Sequence, residues 1–311
     1  MATAESALYR GRFAPSPTGP LHFGSLLAAI ASYLQAKVSG CAWLLRIEDI
    51  DPPREQPGAD RAIVTALEKF GFEWDGPVGY QSAARERHEW LLRQLSEAGY
   101  AYPCSCSRRD LADVQRGLLG AIYPGTCRNG CDGTEVAIRV RTDNSPVEFV
   151  DRLQGPQSMV LERESGDFIV KRRDGLIAYH LAVGADDADQ GITEVVRGID
   201  LLNSTPRQIY LQRLLELPSP DYLHIPVIEN QRGQKLSKLT GARAIPTDCP
   251  GPLLVAALAA LGQQPAVELA AASLEEIWAW ARTHWRVQAL AGQKRIPAAQ
   301  DPLAEPQNGL S

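Results

Sequence analysis

The residues best able to handle a nucleotide sit in two short stretches more than two hundred positions apart. The first, residues 12–25, reads RFAPSPTGPLHFGS. Pro15, Pro17, Gly19 and Pro20 forbid regular structure there and fix a loop. An apolar segment follows, with Leu26, Leu27, Ile30, Leu34 and Val38 at helical spacing and Gly40 able to stop it. A Gly/Pro loop feeding a helix start is a natural phosphate site, because unpaired N–H groups and the positive end of the helix dipole face the loop. His22 and Thr18 add side-chain donors at that point. The second stretch, residues 235–239, is KLSKL. Lys235 and Lys238 are cations on one short loop, and Ser237 can orient it. Standing alone, this string reads better as a solvated basic loop.

A third constellation involves sulfur. Four of the six cysteines crowd between positions 104 and 131. Thiolates in two short pairs separated by a loop have the logic of a zinc site, and spacing nominates Cys104, Cys106, Cys127 and Cys131. With all four positions filled by protein, such a metal is structural. This usage fits metal rather than a disulfide scaffold, and a reducing, cytoplasmic compartment.

The elements that must position these groups alternate. Residues 9–14 read as a short buried strand. Residues 42–47 read as a second, ending in Glu48-Asp49-Ile50-Asp51. That is where ligands bind in open α/β sheets, although the run also reads as a solvated acidic turn. Residues 59–70 and 83–98 are amphipathic, the latter with Trp90, Leu91, Leu95 and Ala98 expected inside. Strands alternating with helices imply an α/β protein with a Rossmann-like, doubly wound parallel sheet. Residues 104–167 lack that rhythm and read as a small, partly β insertion. The pattern returns with a strand at 168–171. Residues 177–184 then lead to Asp186, Asp187 and Asp189, taken as a solvated turn in preference to a Mg²⁺ site. A strand at 193–196 precedes a helix over 205–217, with Thr205 as its N-cap before Pro206. A strand over 222–228 delivers KLSKL. Residues 241–291 are helical, best over 253–261 and 274–282, with Trp278, Trp280 and Trp285 packing there. The expected plan is a catalytic domain of 1–103 plus 168–240, the insertion, the helical region, and a tail over 292–311 without order.

The chain has 311 residues, 44% hydrophobic and 22% charged, an ordinary globular balance. No run of ~18 apolar residues predicts a membrane span, and no secretory signal is evident at the N-terminus. A net charge of −5 does not favour a polyanion, so any nucleic-acid contact needs a local basic face.

Taken together, PLHFG and KLSKL resemble the two signatures of class I aminoacyl-tRNA synthetases. The full RFAPSPTGPLHFGS is similar to the glutamyl branch, and the resemblance runs from about Tyr9 to about Leu239. It implies activation of L-glutamate by ATP, with Mg²⁺ accompanying the nucleotide, and transfer of the glutamyl group to RNA. It implies glutamate binding by Arg12, Phe13, Ala14, Pro15, Ser16, Glu48, Tyr179 and Arg197, leaving open which arginine takes which carboxylate. It implies ATP binding by Thr18, Gly19, His22, Gly24, Lys235, Ser237 and Lys238, with His22 and Lys238 catalytic. Shortened members of the branch have C-x-C followed by Y-x-x-x-C and use the tyrosine as a zinc ligand. That implies one structural Zn²⁺ on Cys104, Cys106, Tyr123 and Cys127, with Cys131 the rival to Tyr123. An anticodon-reading helical domain is not expected. The shortened members are understood to activate glutamate without tRNA and to esterify it onto queuosine in the anticodon loop of tRNA(Asp). Two rivals stand beside this: a short synthetase charging a tRNA 3′ end, and a non-catalytic module binding tRNA or a nucleotide. Both signatures are intact, His22 and Lys238 included, which argues against the second.

Overall fold

The protein is described by a computed structural model over residues 9–230, 232–236 and 242–303. Its centre is built on the first strand–helix–strand unit. Strand β1 (Arg10–Phe13) pairs in parallel with β2 (Ala42–Ile47), Arg12 opposite Leu44, and helix α1 (Phe23–Lys37) makes the crossover. Helix α2 (Ala59–Lys69) leads to β3 (Gly79–Tyr80), parallel to β2, and then to α3 (Arg85–Glu97). The irregular part follows: β4 (Ala101–Cys104), the hairpin β5 (Arg116–Gly117) and β6 (Gly120–Ala121), then β7 (Ala137–Val140). After it come β8 (Pro146–Asp151), β9 (Gly155–Val160), α4 (Leu161–Glu164) and β10 (Phe168–Lys171). Strand β7 pairs antiparallel with both β4 and β10, which ties the two ends of the insertion together.

Helix α5 (Tyr179–Asp189), β11 (Glu194–Gly198), α6 (Thr205–Leu214) and β12 (Asp221–Ile225) form the second half, with β11 and β12 parallel. Strand β11 lies beside β1, where the Thr193 N–H donates to the Arg10 carbonyl at 3.0 Å. Strand β8 joins β12 at Tyr222–Asp151 and carries β9 antiparallel beyond it. Strand β13 (Val227–Ile228), α7 (Pro250–Ala260), α8 (Leu274–His284) and β14 (Arg295–Ile296) complete the described chain, β14 lying parallel to β13.

Helix α1 is apolar around most of its circumference, so it must be covered on both sides. Leu26, Leu27, Ile30 and Leu34 are fully buried. The Tyr33 ring meets Trp43, Phe72 and Trp278 edge-on, with centroids 5.1, 5.3 and 4.8 Å away. Fully burying one such aliphatic side chain contributes roughly 1.5–3 kcal/mol, so the helical C-terminal region that covers α1 also stabilises the loop at its N-terminus.

Several sequence expectations need correction. In α3 the buried positions are His88, Leu91, Leu92 and Leu95, which share one helical face. Trp90 is 43% exposed beneath the Arg87 guanidinium, and Ala98, past the last turn, is exposed. Thr205 is the first residue of α6 rather than its cap, and its hydroxyl serves Arg197 instead. The strand over 222–228 breaks at Pro226, which lacks the ladder's donor. Residues after Gly292 are not uniformly without order, since Ile296 is buried on β14; residues 304–311 lie outside the described chain. No helix among the described residues is long and apolar enough to cross a membrane.

Candidate active site

The loop after β1 turns at Gly19, whose φ of 130° excludes side-chain-bearing residues without strain. His22 is the N-cap of α1, its Nδ1 accepting from the Ser25 N–H at 3.3 Å. Acceptance at Nδ1 leaves the proton of the neutral ring on Nε2, so the ring is a donor. A Cβ on Gly24 would lie 3.1 Å from His22 Cε1, so glycine there lets the ring lie over the helix start. The first turn of α1 carries no acidic residue, leaving the positive end of its dipole unopposed.

This helix start opens into a cleft of about 470 Å³. The cleft gathers Arg12, Phe13, Ala14, Pro15, Ser16, Thr18, Gly19, His22, Gly24, Glu48, Tyr179, Arg197 and Lys235. Ser237 and Lys238 lie outside the described residues. Both flanks of that segment are tied to the cleft. The Leu236 N–H donates to the Ile228 carbonyl at 2.8 Å, and the Ile245 N–H to the Leu21 carbonyl at 3.0 Å. Lys235 Nζ donates to Asp200 at 2.6 Å on the rim.

The two arginines differ in what they have left to offer. Arg12 directs Nε and Nη2 at Asp187, at 3.1 and 3.2 Å, so its fork is already matched. Arg197 is held by its neighbours: Nε donates to His224 Nε2 at 3.0 Å, and Nη2 donates to Thr205 Oγ1 and Gln208 Oε1, each at 2.8 Å, and more weakly to the Leu201 carbonyl at 3.5 Å. Its Nη1 is buried with no hydrogen-bond partner. His224 Nδ1 in turn meets Asp151 Oδ2 at 2.6 Å. Since Nε2 accepts from arginine, the proton sits on Nδ1 and points at that carboxylate.

Nothing in the sequence singled out His224, Asp151, Gln208 or Arg46. Arg46 lies fully buried at the end of β2, with Nη2 2.8 Å from Asp187 and 3.4 Å from Glu48. Asp186 and Asp187, expected in a solvated turn, are both only 4% exposed on α5. Asp186 receives Gln81 at 2.6 Å and faces His88 Nε2 at 2.7 Å. Asp189 alone is exposed, paired with Arg87. Burial would raise Asp187, but Arg12 and Arg46 outweigh it and hold the carboxyl below its ordinary range. Burial dominates at Glu48 and raises it despite Arg46 and Arg12.

Burial also drives His224 down from 6.5 to about 4, and His180, beside Arg207 and Arg197, down to about 3. As pH falls from about 6.5 the unfolded chain takes up protons that the folded one refuses. The stability contributed is therefore complete above that value and is lost towards pH ~4. The urea midpoint should fall between neutral pH and about pH 5, and His224→Gln should flatten the fall; an unchanged slope in the variant would contradict this.

In the insertion, the sulfurs of Cys104, Cys106 and Cys127 lie within 4.8 Å of one another. The Tyr123 hydroxyl is 3.3 Å from Cys104 Sγ and 3.7 Å from Cys106 Sγ, and Cys106 and Cys127 are 3.6 Å apart. A tetrahedral zinc with Zn–S bonds of ~2.3 Å separates its ligand atoms by about 3.8 Å, so this donor set fits one. Arg139 donates to Cys104 Sγ at 3.3 Å and covers the Tyr123 ring at 3.9 Å, a counter-charge for anionic ligands. Cys131 is turned to the Pro103 carbonyl at 3.6 Å and stands outside the cluster.

A parallel sheet with a phosphate-type helix start, a buried arginine and Lys235 lining one cleft agrees with the catalytic domain of a class I tRNA synthetase. The family model for tRNA synthetases class I (E and Q), catalytic domain, matches residues 9–249. The chain resembles a glutamate-tRNA synthetase from Elizabethkingia anophelis with a TM-score of 0.78 at 25% identity, covering 94% of this chain and 69% of that one. A glutamate tRNA ligase from Elizabethkingia meningosepticum, solved in complex with its amino acid, gives a TM-score of 0.77 at 25% identity, covering 94% and 68%. Glutamyl-Q tRNA(Asp) synthetase from Ectopseudomonas mendocina is 51% identical over 94% of this chain and 98% of its own length. The protein of that name from Dechloromonas aromatica is 51% identical over 93% and 97%. The chain belongs to the class I tRNA synthetases and, within them, to the glutamyl-Q tRNA(Asp) synthetase family; it is an enzyme, a ligase of that class.

Proposed function

We propose that this enzyme activates L-glutamate with ATP, without RNA, to glutamyl-adenylate and pyrophosphate, and then transfers the glutamyl group to queuosine in the anticodon loop of tRNA(Asp). The observation that carries the first step is Arg197 Nη1, a buried guanidinium N–H with no partner, in the same cleft as the start of α1. A glutamate carboxylate is the acceptor it lacks, and a charge-assisted bond there is among the strong ones. Arg12 adds positive charge behind it, and Glu48 faces the ammonium. The α-carboxylate attacks the α-phosphorus. The first step needs charge stabilisation on phosphate oxygens more than a base. His22 Nε2–H and the α1 N–H groups supply it on one side, and Lys235 and Lys238 on the other. The role of Lys238 rests on the KLSKL resemblance. Mg²⁺ travels with ATP as part of the substrate. The names of the relatives support the second step.

Two measurements test this. Glutamate-dependent exchange of pyrophosphate into ATP should proceed without RNA. Mass spectrometry of tRNA(Asp) nucleosides after incubation should find glutamyl on queuosine; glutamyl on the terminal adenosine alone would overturn the second step.

Cys104, Cys106, Tyr123 and Cys127 would hold one structural zinc, which cross-links the insertion and takes no part in the chemistry. The purified protein should carry about one zinc per chain. Cys106→Ser should lose most of it and lower Tm by roughly 5 °C or more. A variant with normal Tm and no metal would end the assignment.

A further inference from the structure

A second cavity, of about 430 Å³, adjoins the first and shares Ser16, Thr18, Glu48, Arg54 and Tyr179 with it. Its opposite wall belongs to the insertion, through Ala121 and Arg139. Arg207 lines this cavity without a carboxylate in ion-pairing reach among the described residues. Its guanidinium lies over the Phe168 ring at 5.5 Å, its Nη1 is 3.5 Å from His180 Nε2, and its Nε is buried with no partner. His180 is neutral, so Nε2 accepts from Arg207 and the ring proton sits on Nδ1, which is also buried and unmatched. Leaving a buried donor unsatisfied is destabilising, more so when it is charged. Two such donors beside one cavity point to a ligand rich in acceptor oxygens.

Resting on the function proposed above, we infer that this cavity seats the acceptor nucleoside during transfer, with Arg207 Nε and His180 Nδ1 donating to oxygens of its hydroxyl-bearing ring. A group seated here borders the activated carboxyl through the shared wall, and attack requires an approach of about 3–3.5 Å. Glu48, Asp51, Glu55 and Asp167 border the cavity together with Arg54, Arg139, Arg172 and Arg207, so the lining is balanced in charge, a setting that suits a neutral polyol better than a phosphate diester. In the transfer a ring hydroxyl oxygen forms a C–O bond to the carbonyl carbon. The C–O bond to AMP breaks, its electron pair leaves with the phosphate, and the hydroxyl proton passes to that phosphate.

The test uses the full chain with two readouts: pyrophosphate exchange without RNA, and transfer to queuosine-containing tRNA(Asp). Ala121 borders the second cavity and not the first. Ala121→Trp should keep exchange within about threefold while transfer kcat/KM falls at least twentyfold. Should that variant not fold, Arg207→Gln decides, with transfer expected to fall at least tenfold more than exchange. Transfer at the wild-type rate in the folded Ala121→Trp variant, or equal losses in both assays, would overturn the cavity assignment alone. A wild-type enzyme that exchanges pyrophosphate yet glutamylates no queuosine would overturn the functional reading and the assignment with it.

Discussion

Arg197→Ala should lower kcat/KM for glutamate in pyrophosphate exchange about a thousandfold, mostly through KM. Truncating one partner of a buried, hydrogen-bonded charge pair costs 2–5 kcal/mol or more, and about 4 kcal/mol is three decades. The side chain is aimed by His224, Thr205 and Gln208, which leave Nη1 for the ligand. A contact made equally to substrate and transition state appears in KM rather than kcat. Arg197→Lys should recover little. An ammonium keeps the charge but cannot reach His224 and Thr205 while also pointing at the cleft. Both variants strand the His224 ring and Gln208 in the interior, so Tm should drop, and activity must be measured where the protein is folded. Retention of activity within tenfold in Arg197→Ala would remove the central contact of the proposed glutamate site.

The parts of the site that were legible in the sequence are those whose signal is local. Pro15 to Gly24 and the helix behind them announce themselves by composition and spacing, and the strand at 42–47 by its apolar run. The buried ion network was not legible, because its members are scattered. Arg12 and Arg46 meet Asp187 on a helix that begins at Tyr179. A charge run such as Asp186, Asp187 and Asp189 reads as solvent-facing until its helical phase is considered. Ala182, Val183, Asp186 and Asp187 fall on one face, and that face is buried. An acid on an apolar stripe demands a cation, and that was the available signal. The Asp151–His224–Arg197 relay had none, since its three residues come from separate strands of one sheet. The cysteine cluster lay between these cases. Spacing nominated four thiols, the family pattern favoured Tyr123 over Cys131, and the fold brings the Tyr123 hydroxyl to the cluster while Cys131 turns to the Pro103 carbonyl.

His22→Ala should lower kcat for exchange between a hundredfold and a thousandfold while leaving KM for glutamate nearly unchanged. Removing one preorganised donor from developing oxyanion charge has effects of that size. The residue does two jobs, however. Its Nδ1 caps α1 at the Ser25 N–H, and loss of an N-cap costs about 1 kcal/mol of stability. A loosened first turn would also misaim the backbone N–H groups proposed to face the phosphates, so the alanine variant cannot apportion the loss. His22→Asn can. Asparagine is a good N-cap and should restore the wild-type Tm, yet it lacks a donor at the position of Nε2. Stability should return while kcat stays low by at least fiftyfold. If the asparagine variant recovered rate together with stability, His22 would act by holding the helix start, and the charge stabilisation assigned to its ring would fall to the α1 dipole and the lysines.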